Sequence, residues 1–334
     1  MMTAKKITVH TGGKLYLAGE YSILTPGQTA LIQHIPIYMT AAVERSDEII
    51  LSSDMFDYTV GLEPDANYSL IQESIATFQA FYGKQLPPFS LTITGKLERD
   101  GLKFGIGSSG SVTVLTLKAL AAFVALPLTS DELFKLASYT LLKLGDNGSM
   151  GDIACIAYED LVAYTSFNRE KIAEQITQKP LSELMAMDWG YTIERLAPHI
   201  QADFLVGWTR QPAISKDMIN QVKAAITSDY LVETQVAVLQ AKEALLSGDK
   251  EQLKSALQIV SDLLVSLSSA IYIDNLKRLK EAEEGLDIIA KSSGSGGGDC
   301  GIAISFSQSA STELINRWAD AGIELLYQER WEND

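Results

Sequence analysis

The sequence predicts an α+β protein of two domains. Helical and strand-like segments are mixed without the regular strand–helix–strand alternation of a doubly wound sheet. Hydrophobic residues make up 46% and charged residues 21%, an ordinary globular balance able to bury a large core. A chain of 334 residues is long enough for about two domains.

Strand-like segments come first, at 7–10, 14–17 and 38–45, broken at Gly12-Gly13 and Pro26-Gly27. Segment 69–81 has a helical pattern, and 89–95 (FSLTITG) alternates like a half-buried strand. A long apolar helix covers 109–126. Ser130-Asp131 caps the next helix, whose inner stripe is Leu133, Leu136 and Ala137. Segment 150–163 is apolar and mostly buried. Segment 180–200 is a transition, which divides the chain into domains of 1–195 and 196–334. A new strand opens at 203–208. A helical stretch at 231–290 follows, interrupted at Gly248-Asp249, with Lys277, Lys280, Glu283 and Glu284 on its outer face. A short apolar strand at 301–306 and a helix at 312–321 close the chain.

The net charge of −15 repels nucleic acid and anionic lipid at long range, so neither is expected as a partner. It does not exclude a small anion, because aimed N–H groups, a few lysines and a bound cation reverse the field within one cleft. Cys155 and Cys300 lie in no CxxC, and His10, His34 and His199 share no ligand spacing, so neither zinc nor a disulfide framework is expected. No apolar run reaches the roughly 18 residues that cross a bilayer. Residues 1–10 lack the apolar core of a secretory signal, and the expected location is cytoplasmic.

Four segments are suited to chemistry. Gly105-Ile106-Gly107-Ser108-Ser109-Gly110-Ser111 runs straight into a helix, and small residues before free N–H groups favour bound phosphate. It also fits the dinucleotide pattern GxGxxG, but Leu102-Lys103-Phe104 is a poor buried strand and Pro127–Asp131 a turn, so that context is wrong. Ser292 to Asp299 is glycine-rich but enters an apolar strand, which favours an ordered backbone loop over a flexible linker. Gly145 to Asp152 ends in an acid that is either an N-cap or a functional carboxylate. Thr11 to Leu24 sets Lys14 directly after a glycine pair. No G-x-x-x-x-G-K-[ST] occurs, and the protein-kinase signatures are missing.

Together these segments resemble the three motifs of the GHMP kinases, in the family's order and over nearly the whole chain. Gly13 to Tyr21 (GKLYLAGEY) is similar to the first motif, Gly105 to Ser111 to the phosphate loop, and Ser293 to Gly301 to the third. Thr11-Gly12-Gly13-Lys14 lacks the proline that many relatives carry, and Ser295 stands where alanine is common. The resemblance implies a ribosomal-protein-like N-terminal domain, a ferredoxin-like C-terminal domain and a cleft between them. It also implies ATP and Mg²⁺ as cofactors. The wording of KLYLAGEY, GSMGD, Val206 to Thr209 and Pro212 to Lys216 resembles the branch acting on 5-phosphomevalonate.

On that resemblance Lys14 and Asp152 are the catalytic pair. Lys103, Gly105, Gly107, Ser108, Ser109, Gly110 and Ser111 hold the nucleotide, with Ser109 and Ser111 on the metal. Lys14, Tyr21, Ser149, Ser215, Gly294, Ser295, Gly296 and Gly297 meet the acceptor, and Ser215 with Lys216 closes over it from a loop. An alcohol kinase of the same fold, such as one acting on mevalonate, and a catalytically inactive ligand sensor are the alternatives.

Overall fold

The first strand does not break at its glycine pair. In the computed structural model, which describes residues 6–213 and 215–332 (the side chains of 215–217 apart), β1 runs unbroken over Ile7–Ala18. It pairs antiparallel with the 17-residue β2, Thr29–Arg45. The glycines serve close approach. A Cβ on Gly12 would lie 2.5 Å from the Ile35 carbonyl, and one on Gly13 would lie 2.7 Å from the Ile106 carbonyl. The ladder slips between Thr11 and Gly13, opposite the stretch that holds Pro36, which has no N–H to give.

The first sheet has six strands. Its order is β3 (Ile50–Ser53), β4 (Phe89–Thr94), β2, β7 (Val162–Thr165) and β8 (Thr192–Arg195), with β1 also on β2. A two-stranded hairpin, β5 (Glu98–Arg99) with β6 (Leu102–Lys103), stands apart from it. Against β1 and β2 packs α2 (Ser108–Phe123), surrounded by α1 (Ser69–Tyr82), α3 (Ser130–Lys143) and α4 (Gly151–Tyr158). The cap of α3 is Thr129 rather than Ser130-Asp131: Thr129 and Glu132 form a reciprocal capping box, which leaves Ser130 and Asp131 inside the first turn. The expected transition holds α6 (Leu181–Ala186) and β8, with α5 (Arg169–Ile176) just ahead of it.

The second sheet begins with β9 (Ala202–Trp208) and is antiparallel throughout, in the order β10 (Ile288–Ser292), β11 (Cys300–Ser305), β9 and β12 (Glu324–Trp331). Between β9 and β10 come α7 (Ser215–Val222), α8 (Ser228–Ser247), α9 (Lys250–Leu267) and α10 (Asp274–Glu281). The helical pattern therefore ends before 288, where β10 takes over. Lys280 does not face outward. It is half-buried and donates to Gln258, Glu283 and the Ala290 carbonyl, tying α10 to α9 and β10. The closing helix α11 (Gln308–Asp320) is followed by β12. Among the described residues no helix is long and apolar enough to cross a membrane.

Candidate active site

The three glycine-bearing segments meet along one cleft between the two sheets, around a cavity of ≈ 740 Å³. The N–H of Lys14 donates to the Ile106 carbonyl at 2.8 Å, so β1 is docked to the loop before α2 through its backbone. Gly107, the N-cap of α2, is left-handed at φ 88, and no side chain caps the helix. The N–H groups of the first turn are thereby left for a ligand, at the end of the helix that favours an anion. Ser108 and Ser109 line the cleft there. Ser111 does not. It is fully buried, its hydroxyl 2.7 Å from that of Thr11, so it braces α2 against β1 and is not placed to hold a metal.

Lys14 and Asp152 run past the start of α2 on the space its glycines leave. A Cβ on Gly107 would lie 3.1 Å from Lys14 Cε and 3.7 Å from Asp152 Cβ, and one on Gly110 would lie 2.9 Å from Asp152 Oδ2. Asp152 sits in the first turn of α4, where its Oδ1 accepts the Ile153 N–H at 2.9 Å. Burial pushes its carboxyl above the usual range, and the charge of Lys14 opposes that rise. Among the described residues the two form no direct ion pair; the Lys14 ammonium lies 5.2 Å from the centre of the Tyr16 ring. Next to them Ser149 accepts the Gly151 N–H and shares a 3.0 Å hydrogen bond with the Tyr16 hydroxyl.

The loop after β10 is ordered by its contacts. Gly294, Gly296, Gly297 and Gly298 all have positive φ, as does Asp299 at φ 54. Gly294 and Ser295 line the cleft, but Gly296 and Gly297 turn away from it. A Cβ on Gly296 would meet Ile271, and the Gly297 N–H donates to the Ile271 carbonyl at 2.8 Å. These two glycines therefore fold the loop and do not line the cleft. Tyr21 donates its hydroxyl to the Ser295 carbonyl at 2.5 Å, and Ser293 donates to the Tyr16 carbonyl at 2.9 Å. Exposed Lys103 also lines the cleft, its carbonyl accepting the Trp208 indole N–H. Ser215 and Lys216 open α7 instead of lying on a loop; their side chains lie outside those described.

Two features escaped sequence reasoning. Glu20, in the cleft wall, forms an ion pair with Lys291 of β10, with side-chain exposures of 2% and 1%. The signal was a lysine inside the apolar run Ile288-Ile289-Ala290-Lys291. The second is Asp299, which ends the glycine run and also lines the cleft. Both cysteines are buried.

The model for the GHMP kinases N terminal domain matches residues 69–160, and that for the GHMP kinases C terminal matches 241–324. A phosphomevalonate kinase from Streptomyces sp. (strain CL190) is 30% identical over 362 residues, covering 97% of each chain. This chain belongs to the GHMP kinase family. Streptococcus pneumoniae phosphomevalonate kinase, solved in complex with phosphomevalonate and AMPPNP, is 52% identical with a TM-score of 0.96, over 97% of this chain and 99% of that one. Lactococcus lactis galactokinase complexed with galactose, at 16% identity and a TM-score of 0.73 over 98% and 94%, shares the fold. The two-domain α+β architecture implied by the motifs is that of the family.

Proposed function

We propose that the chain is a cytoplasmic phosphomevalonate kinase, which moves the γ-phosphoryl group of ATP onto the phosphate of 5-phosphomevalonate. The observation that carries this is the convergence of Lys14, the uncapped start of α2 and the Gly294–Ser295 backbone on one cleft, in a chain alike end to end to an enzyme solved with phosphomevalonate and AMPPNP. An acceptor oxygen bonds to the γ-phosphorus as the bond from that phosphorus to the β–γ bridging oxygen breaks, and ADP leaves with the electron pair. Such transfer asks for positioning and charge stabilisation more than for covalent help.

The N–H groups at Gly107 to Gly110 hold the nucleotide phosphates, with Lys103 beside them. Lys14 sits where the two phosphates must approach and offsets their repulsion. Ser149, Gly294 and Ser295 line the acceptor end, and Tyr21 fixes the Ser295 carbonyl. A phosphate monoester, with a second pKa of about 6, is mostly a dianion at neutral pH and needs no base to attack. Asp152 therefore serves chiefly to hold the charge of Lys14 in place.

The residues present suit Mg²⁺ carried on the nucleotide. Hard oxygen donors of Ser109, Asp152 and Asp299 line the cleft, while among the described residues no three His, Cys, Asp or Glu side chains group as an ion site. When bound, the ion would supply charge that neutralises the transferring phosphates.

ADP release should be measured with 5-phosphomevalonate, mevalonate, homoserine and galactose in turn. The proposal expects turnover with 5-phosphomevalonate and little with the rest. Faster turnover with mevalonate would make the chain an alcohol kinase of the same family.

A further inference from the structure

A carboxylate in the wall of a site for two polyanions requires a physical reason. Asp299 is held in the left-handed region at φ 54 by bonds on every side. Its N–H donates to the Gln211 carbonyl, its carbonyl accepts from the Thr209 N–H and hydroxyl, and its Oδ1 accepts the Ala213 N–H at 3.1 Å. A non-glycine residue fixed in that region, next to a cleft, is the kind of backbone strain that marks function. The other oxygen, Oδ2, lies over Gly105. A Cβ on Gly105 would come within 2.3 Å of Oδ2 and of the carboxyl carbon, so this opening residue of the phosphate loop is glycine because Asp299 occupies the space.

Among the described residues no cation lies within ion-pair distance of Asp299. Lys14 and Lys103 act on it only from further away, and burial outweighs them, lifting its carboxyl above the usual range. A bare triphosphate laid along Gly105 to Ser109 would thus meet a negative charge that, among the described residues, only more distant lysines oppose, in a partly desolvated cleft. Among the described residues no three His, Cys, Asp or Glu side chains group as an ion site. A cation carried on the nucleotide would supply closer compensation.

We propose that Asp299 makes nucleotide binding depend on a divalent cation: its second carboxylate oxygen opposes metal-free ATP and accepts the cation of the metal complex. This rests on the nucleotide reading above. It assigns the coupling to one side chain of the third glycine segment, outside the phosphate loop itself. Asp152, on the far side of the loop, faces Gly110 and the Lys14 charge instead.

The test is titration calorimetry of ATP into the full chain without acceptor, once with Mg²⁺ and once with EDTA. Asp299→Asn removes the charge but keeps an oxygen for the Ala213 N–H. Its affinity for metal-free ATP should rise and its affinity for MgATP fall, so that the preference for the metal complex shrinks about tenfold or more. Asp299→Ser, equally neutral and able to accept the same N–H, should repeat the result. An unchanged preference would overturn the proposal. So would a parallel loss of both affinities, which would make Asp299 only an anchor for residues 209–213. Wild-type protein that fails to bind MgATP would overturn the nucleotide reading and this inference together.

Discussion

The two glycine-rich loops have similar composition and opposite uses. In Gly105 to Ser111 the missing Cβ atoms make room for side chains: Asp299 over Gly105, Lys14 beside Gly107, Asp152 against Gly110. In the loop after β10, Gly298 makes room for backbone alone and Gly296 for the backbone and side chain of Ile271 together. A Cβ on Gly298 would stand 2.3 Å from the Gln211 carbonyl, and one on Gly296 2.7 Å from that of Ile271. Flexible side-chain ends can give way, whereas carbonyls fixed in a fold cannot. The first loop therefore spends its glycines on the chemistry and the second on its own shape.

The largest effect tests the side-chain half of that contrast. Lys14→Met should lower kcat by on the order of 10²–10³, the range for losing a group that stabilises transition-state charge. Its fold should survive, since Lys14 anchors the loop through its N–H. Steady-state rates beside a thermal melt check both, and a loss below about fivefold would count against the site.

Next comes a pair of glycine substitutions. Gly298→Ala should destabilise the chain by about 1–3 kcal/mol or more, read as a lower urea midpoint, because both φ 147 and the Gln211 carbonyl oppose a side chain. Gly107→Ala should cost less stability, since its nearest neighbour is the movable Lys14 Cε, yet weaken MgATP binding about tenfold. Equal stability loss with unchanged MgATP affinity in Gly107→Ala would erase the distinction between the loops.

A smaller effect concerns Asp152. Burial holds its carboxyl above the ordinary range, which makes it a better base than a free carboxylate. That helps only while the acceptor keeps its second proton, near and below pH 6. Asp152→Asn should therefore lose about tenfold near pH 6, and the deficit should shrink towards pH 8. A deficit that grows with pH would give Asp152 another role. Smallest of all, Ser111→Ala should cost about 1 kcal/mol of stability through the lost Thr11 bond and leave the rate unchanged.

Much of this was legible in the sequence for local reasons. Gly107 before a long apolar run reads as the start of a helix, and β9 and β11 are continuous apolar strands. The misreadings share a cause in tertiary contact. Glycine in isolation weakens a strand, so Gly12-Gly13 reads as a break, but in the fold Gly13 admits the Ile106 carbonyl and Gly12 that of Ile35. The β12 strand mixes polar and apolar residues as an edge does, so its period is faint. Ser111 looks like its neighbour Ser109 until α2 is turned, when one hydroxyl meets Thr11 and the other faces the cleft. The Glu20–Lys291 pair joins residues 271 positions apart, and no local pattern encodes it.

The central claim is that the attacking group is a phosphate. Phosphorus NMR of a reaction holding the chain, ATP, Mg²⁺ and 5-phosphomevalonate tests it most directly. The acceptor's monoester signal should be replaced by the two coupled signals of a diphosphate ester, in step with the appearance of ADP. ADP and inorganic phosphate rising while the monoester signal persists, or a monoester signal arising only when mevalonate is supplied, would contradict it.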